Sequence, residues 1–216
     1  MRPLAAEGQA QVLPLTLAVW ASNQVISVTC QNKAGKRLKE GDLATIVTWM
    51  KQLTEEGREL FVTVGMSDDL LVKQAVEVAR IFDMLNGHGL KLEGKTPEGL
   101  FNQAFLPLEK WREREGRMPQ PFELHVTRQA DGTYAKKMIF IEEDWQVEGL
   151  DPKLTPREFE VADWNVLPEW VQKVGGPDNK VQVLFVFAPQ DAPLHVFMPG
   201  VRVLAQRLPT VYVFAE

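Results

Sequence analysis

The sequence predicts an α/β protein of two similar modules, each a mixed sheet with helices packed on it in the order β-α-β-α-β. Residues 25–96 show this order, because short apolar runs typical of strands alternate with segments whose apolar residues recur at helical spacing. Turn residues separate the segments, with Gly35, Gly57 and Gly89 at predicted turns or helix ends. A looser copy of the same order follows Phe122, which indicates a duplication.

Residues 1–96 form the first predicted module. Its helices begin at Asp42 and at Asp68-Asp69, where carboxylates meet the unpaired N–H groups and the positive end of the helix dipole. Its strands are short apolar or alternating runs. They are Leu13–Ala21, Val25–Thr29, Leu60–Val64 and Leu90–Leu92.

Residues 97–121 are predicted to be a helical connector, and residues 122–216 the second, more divergent module. Thr96 with Pro97 resembles a helix start, and the prolines of MPQP mark the boundary at 118–121. In the second module a hairpin turns at Asp131-Gly132. The spelling Thr155-Pro156-Arg157-Glu158 predicts a helix start, whereas Pro199-Gly200 is expected to break or kink a later helix. The runs KVQVLFVFAP and TVYVFAE are predicted strands.

Composition excludes several classes of protein. The 216 residues are 45% hydrophobic and 25% charged, which is typical of a globular chain. The net charge of −5 argues against nucleic acid or an anionic membrane as the main partner. No apolar run reaches the ~20 residues that span a bilayer. Cys30 has no other cysteine to pair with and is predicted to be a buried thiol.

The N-terminal region leaves two alternatives open. Arg2 and the apolar residues that precede Ala21 fit a weak secretion signal, whereas Glu7 and Pro14 argue against one. These residues leave the location unknown, with the cytoplasm and the periplasm as the two alternatives.

The segment Gly89–Thr96 matches the sequence motif of a phosphate-binding loop. Met138–Glu142 resembles the apolar strand that, in such proteins, ends in an acidic residue that binds magnesium. Such a loop needs a strand before it and a helix that begins at the Lys-Thr step. Here a helix precedes it, and its interior alternates like a strand. The residues therefore favour a strand, with nucleotide binding as the alternative.

Other polar residues do not form a predicted catalytic or metal site. His88, His125 and His195 are too scattered for ligand spacing. Asp68-Asp69 is explained by helix capping, and neighbours within Glu142–Asp144 point to opposite faces of a strand. We therefore predict no catalytic residue, no metal ligand and no cofactor.

Four tryptophans lie on or beside predicted helices, and they favour packing in the core or between modules. The alternative is exposure at a partner interface, where Trp is enriched. They are Trp49, Trp111, Trp164 and Trp170.

The first module resembles the extracytoplasmic domain of the ExbD/TolR family of biopolymer transporters. The residues that carry the resemblance are Val25–Val28, Gly35, Leu43, Val62, Val64, Asp68 or Asp69, Val76–Val78, Asp83, Gly89 and Leu92. The resemblance implies a strand-turn-helix-strand-helix-strand fold that binds a protein partner in a bacterial envelope assembly. The family's transmembrane helix and its membrane-embedded acid have no counterpart here, so no energy-coupling role follows.

The leading hypothesis is that the chain is a non-enzymatic protein-binding or scaffold module. Strand edges and Trp-bearing helices would be its contact surfaces. The partner is a protein of unknown identity, and a homodimer is one alternative. A second hypothesis is a small cytosolic nucleotide-binding protein or enzyme that uses Gly89–Thr96. A third is an accessory protein of a mobile or defence system.

Overall fold

A computed structural model of the chain describes residues 12–22, 25–85, 93–96, 99–112, 122–144, 153–176 and 181–216. In the first half the strands and helices follow one another along the chain. They are β1 (Val12–Ser22), β2 (Val25–Asn32), β3 (Arg37–Asp42), α1 (Leu43–Glu55), β4 (Glu59–Met66), α2 (Val72–Leu85), β5 (Glu93–Thr96) and β6 (Gly99–Pro107).

The second half begins with a short helix and then repeats the pattern of three strands before a helix. Its elements are α3 (Glu109–Arg112), β7 (Phe122–Arg128), β8 (Tyr134–Asp144), β9 (Lys153–Glu160), α4 (Leu167–Gly175), β10 (Val183–Ala188), α5 (Met198–Leu204) and β11 (Thr210–Ala215). Single 3-10 turns, Trp164–Val166 and Leu194–Val196, precede α4 and α5.

The first sheet has four strands in the order β3-β2-β1-β4. Strands β1, β2 and β3 form an antiparallel meander, and β4 runs parallel to β1 after the crossover through α1. Along β1 the residues Leu15, Leu17 and Val19 are at most 2% exposed, so every second side chain enters the core. This alternation explains why the helices cover one face of the sheet.

The second sheet has seven strands in the order β5-β6-β11-β10-β7-β8-β9. The part β9-β8-β7-β10 repeats the order of the first sheet, with β10 parallel to β7 and a meander on the other side. The predicted α/β class, with helices packed on mixed sheets, is confirmed. Each half, however, opens with three antiparallel strands and not with the single strand of the predicted β-α-β-α-β order.

Three predictions about local structure are wrong. Gly99–Pro107 is strand β6 and not part of a helical connector, since it pairs in parallel with β11. The Thr155-Pro156-Arg157-Glu158 segment lies in edge strand β9, where a missing N–H is tolerated. Pro199 occupies the first turn of α5, where its fixed φ suits a helix start, so it begins that helix.

One hydrophobic core extends across both sheets. It includes Val64 of the first sheet and Val213 of the second, both fully buried. Helix α2 contacts α1 on one side and β6 and β11 on the other. Because β5 pairs with β6 and not with β4, Glu93–Thr96 belongs to the second sheet, while the predicted strand Leu90–Leu92 lies outside the described residues.

Helix α5 packs against an aromatic ring at a glycine. A Cβ built at Gly200 would overlap the six-membered ring of Trp164, and the Lys136 ammonium lies over the same indole, 5.5 Å from the ring centroid. Gly200 thus allows the Trp164 indole to lie directly on the helix backbone.

We expect Gly200→Ala to destabilise the protein by about 1–3 kcal/mol, the cost of overpacking a well-filled site. Helix propensity alone predicts the opposite effect, because replacing glycine by alanine at an open helix position raises the free energy of unfolding by up to about 1 kcal/mol. Urea unfolding followed by circular dichroism measures the change. In a Trp164→Ala background the same substitution should be neutral or stabilising. Equal destabilisation in both backgrounds would show that the ring is not the cause.

Candidate functional site

The predicted phosphate-binding loop does not have the geometry of one in its described part. Gly94, Lys95 and Thr96 lie in β5, which pairs antiparallel with β6. Residues 89–92 lie outside the described residues. Because Gly99 already begins a strand, no helix starts at the Lys95-Thr96 step. Residues 93–96 form a strand, the predicted strand Leu90–Leu92 lies outside the described residues, and the helix predicted to begin at Thr96 is not present in Gly99–Pro107.

The loops that follow β4 and β10 bind each other through their main chains. Four hydrogen bonds join them. They run from Val72 N to Ala192 O (2.9 Å), from Lys73 N to Gln190 O (3.0 Å), from Leu194 N to Leu70 O (2.8 Å) and from His195 N to Asp68 O (2.7 Å). We call Asp68–Lys73 together with Gln190–His195 the clasp.

A side-chain ion pair reinforces the clasp. The Arg202 guanidinium of α5 binds both carboxylate oxygens of Asp68, with 2.6 Å between Nη1 and Oδ2. Both side chains are about one-third exposed. Asp68 was predicted to cap α2, but the residue that satisfies Leu71 N is Gln74, through its Oε1 at 2.9 Å. The carboxylate instead joins the two halves.

The clasp removes the anion site that the start of α2 would otherwise offer. Helix N-termini bind phosphate through free N–H groups. Here the N–H groups of Leu71, Val72 and Lys73 already donate to protein oxygens. The carboxyl ends of β4 and β10, where open α/β sheets usually bind ligands, are closed by protein.

A cleft of about 440 Å³ remains between the starts of α1 and α2. Its polar lining comprises Asp42, Lys73, Gln74 and Glu77, above the apolar side chains of Ile26 and Leu43. The side chain and the backbone N–H of Thr45 donate to Asp42 and lower its pKa, so this carboxylate is an anion at neutral pH. Two carboxylates against one lysine make the cleft a poor site for phosphate.

Histidines and acids do not converge on a reaction centre in the described part of the chain. His125 Nε2 lies 2.8 Å from Glu123 Oε2, and its ring stacks on Phe187 at 4.9 Å. Glu142 pairs with Arg157 across β8 and β9 at 2.7 Å. Within these ranges no three metal-ligating side chains come together. His88 and the side chain of Asp144 lie outside what the structure describes.

The tryptophans that are described pack on the core. The Trp170 ring lies 6.1 Å from Phe122 and 5.8 Å from Phe159. Trp164 lies on Gly200, and Trp49 is half-buried against the core. The packing interpretation therefore holds for these three, while the Trp111 side chain is outside the described residues. Burial also raises the pKa of the Cys30 thiol to about 11, so it stays protonated and unreactive, as predicted.

Trp49 also lines a surface groove of about 410 Å³ between α1 and strand β3. We call it the β3 groove. The lining residues come from the exposed flank of α1 and from the adjoining strand. They are Lys39, Asp42, Ala44, Thr45, Thr48, Trp49 and Gln52.

Strand β3 ends the first sheet, and no described strand pairs with its outer side. Edge strands present N–H and C=O groups that another strand can pair with. The other edge of this sheet, β4, is approached by β5. The far edge of the second sheet, β9, contains Pro156, which obstructs pairing. Beside β3, the described residues form a groove that contains an aromatic ring.

The sequence predicts Asp42 as the cap of α1 and Trp49 within that helix, but it does not predict β3. The segment RLKEGD has no apolar alternation, because both faces of this edge strand are largely exposed. The signal that could have found it is the Asn32–Gly35 turn, where Gly35 has a φ of 76° and Asn32 caps the loop. A tight turn after a strand predicts a returning strand.

Among the described residues no helix has the length and apolarity needed to cross a bilayer.

Comparison with known proteins identifies no relative by sequence. No family model matches the chain, and no curated protein matches it. Similar solved structures include a Bacteroides thetaiotaomicron protein described as having an actin-like ATPase fold and unknown function. It is 11% identical, with a TM-score of 0.27, and the match covers 92% of this chain and 90% of that one.

Two further structures are similar to a lesser degree. The foamy viral protease-reverse transcriptase in complex with an RNA/DNA hybrid is 8% identical, with a TM-score of 0.24, over 94% of this chain and 36% of that one. YeaZ from Pseudomonas aeruginosa is 13% identical, with a TM-score of 0.21, over 94% and 84%. At these TM-scores the likenesses carry no argument about this chain, and the ExbD/TolR resemblance stays a prediction.

We expect the clasp ion pair to contribute about 1 kcal/mol to the free energy of unfolding, because both side chains are part-exposed and screened by solvent. Asp68→Ala, Arg202→Ala and the double variant form a double-mutant cycle that urea unfolding measures. The double variant should be little less stable than either single variant. Costs that add within about 0.3 kcal/mol would contradict a direct coupling.

We expect ATP with magnesium to leave the melting temperature of the parent protein unchanged, and Lys95→Ala to behave identically. The reason is that Lys95 lies in a strand and the N–H groups at the start of α2 are already used. Thermal-shift measurements test this, with magnesium alone as the control. A shift in the parent that Lys95→Ala abolishes would establish a phosphate loop at Gly89–Thr96.

Proposed function

We propose that this chain is a non-enzymatic protein-binding module that pairs an extended segment of a partner with β3 and seats its side chains in the β3 groove. The observation that carries the proposal is the unpaired β3 edge beside a groove that contains a half-buried tryptophan. Main-chain pairing supplies affinity in this binding mode, and a neighbouring pocket supplies specificity.

The register of β3 supports side-chain entry into the groove. Lys39 lies opposite Cys30, which is fully buried on the helix-covered face of the sheet. Directly opposed residues of paired strands share a face, so Lys39 lies on the α1 side. A strand added to β3 would place every second side chain on that same face, beside Trp49 and Thr48.

The chemistry of the groove supports a protein partner over nucleic acid. Its exposed lining is mostly small and uncharged, with Ala44, Thr45, Thr48 and Gln52 along α1. A nucleic-acid surface would need several cations, and here Lys39 is accompanied by Asp42 and by a net charge of −5. If the ExbD/TolR resemblance holds, the partner belongs to a bacterial envelope assembly.

Nucleotide or small-molecule binding is the second candidate function. The observation that favours it is the cleft of about 440 Å³ between the starts of α1 and α2, because small-molecule sites are commonly clefts of this size. The carboxylates of Asp42 and Glu77 and the engaged N–H groups of α2 weigh against an anionic ligand. The ATP measurement described above separates the two functions.

We expect Thr48→Arg to weaken the binding of an extended peptide about tenfold or more, because the new side chain fills the groove without disturbing the core. Random peptides displayed on phage are selected on the full chain, and synthetic copies are measured by fluorescence polarisation. Hydrogen exchange should show added protection of the amides of Arg37–Asp42.

Thr54→Arg is the matched control, since it makes the same change on α1 at an exposed threonine that does not line the groove. It should leave affinity unchanged within about twofold. If selection enriches no binding peptide, or if Thr48→Arg binds as well as the parent, the proposed function is wrong.

A further inference from the structure

The β3 groove has one cation, and that cation is unused. Lys39 is the only basic residue among those that line the groove. In contrast to Arg37, whose guanidinium binds Glu40 at 2.6 Å, Lys39 has no ion-pair or hydrogen-bond partner for its ammonium among the described residues. An opposite charge on a bound segment would therefore meet an ammonium that no carboxylate of the described residues already holds in an ion pair.

The position of that opposite charge follows from strand pairing. Lys39 lies on the α1 side of β3, opposite buried Cys30. The residue of an added strand that stands opposite Lys39 must share this face, and the residues two positions away on either side share it as well. One of them can reach the Trp49 ring while the first meets the Lys39 ammonium.

The other charged group of the groove restricts where the acid can be. Asp42 stands three residues after Lys39, and its hydrogen bonds with Thr45 hold it as an anion. Because Asp42 lines the groove, an acidic side chain that enters the groove near it would approach a like charge, which weakens binding. A uniformly acidic segment is thus a poorer fit than a segment with one placed acid.

Resting on the proposed function, we infer that the partner segment is an extended peptide with an acidic side chain opposite Lys39 and an apolar side chain two positions away that contacts Trp49. The peptide contributes a carboxylate, a hydrophobic group and a row of main-chain donors and acceptors. Lys39 and Trp49 then set the register of the bound strand, since a shift by one residue moves both groups to the wrong face.

The test uses the full chain and peptides obtained by selection on it. In each peptide, aspartate or glutamate is replaced by its amide, and separately the acid is moved two positions toward either end, which keeps it on the α1 side of the strand. Affinities are measured by fluorescence polarisation against the parent protein and Lys39→Ala. Lys51→Ala removes the same charge from α1 outside the groove and serves as the control.

We expect the amide peptide and Lys39→Ala each to lose about two- to five-fold in affinity, as for an exposed ion pair. Combining the two should cause little further loss, because they remove one interaction. The loss should shrink at high salt. Moving the acid toward Asp42 should weaken binding more than moving it away, and the favoured direction reports whether the peptide is parallel or antiparallel to β3.

The remaining outcomes separate this inference from the proposed function. Peptides that are sensitive to Thr48→Arg but bind equally well as acid and as amide would overturn the inference and leave the function standing. A complete absence of peptide binding would overturn both. A doubled mass in sedimentation that Thr48→Arg abolishes would assign the groove to a second copy of this chain and overturn the inference about an acidic peptide.

Discussion

The main-chain hydrogen bonds between the loop after β4 and the loop after β10 are the interaction on which the rest of the structure depends. Each loop follows a buried strand, and without the other loop its N–H and C=O groups would lack partners. In the structure, N–H groups of each loop donate to C=O groups of the other. The bonds position α2 between the sheets, where it contacts α1 on one side and β6 and β11 on the other. The continuous core depends on that placement. The same bonds close the carboxyl ends of both strands, so the architecture uses for its own cohesion the groups that a nucleotide site would need.

With those ends closed, the sheet edges become the surfaces on which an interaction can be built. An edge can bind another strand only if nothing blocks its main chain. Strand β9 contains Pro156, and its side chains form ion pairs across to β8, such as Lys137 with Glu158 at 3.1 Å. Strand β3 has no proline, and the groove beside it holds a half-buried indole. The proposed binding of a protein segment rests on this difference between the edges.

The sequence predicted elements whose signals are local and missed those that depend on distant pairing. Asp42 caps α1 through Thr45 N at 2.7 Å, and Gly57 adopts the positive φ expected after that helix. Strand β6 was assigned to a helix because its partner β11 lies about a hundred residues away along the chain. The predicted repeat begins at Val25 and at Phe122, so it aligns β2 with β7. In the structure the counterpart of β7 is β1, because β1 pairs in parallel with β4 as β7 does with β10.

The candidate site also depends on pairing between distant strands, which the sequence does not predict. Strand edges and Trp-bearing helices were predicted as contact surfaces, but which edge is free follows from sheet order, which no local pattern encodes. The residues that shape the groove, such as Thr48 and Gln52, are exposed and do not belong to the core, so they can change with little effect on folding. Gly200 and Trp164 have no such freedom, because their contact leaves no room for a Cβ. In this chain, therefore, the residues of the proposed binding groove can vary while the fold that presents them stays constant.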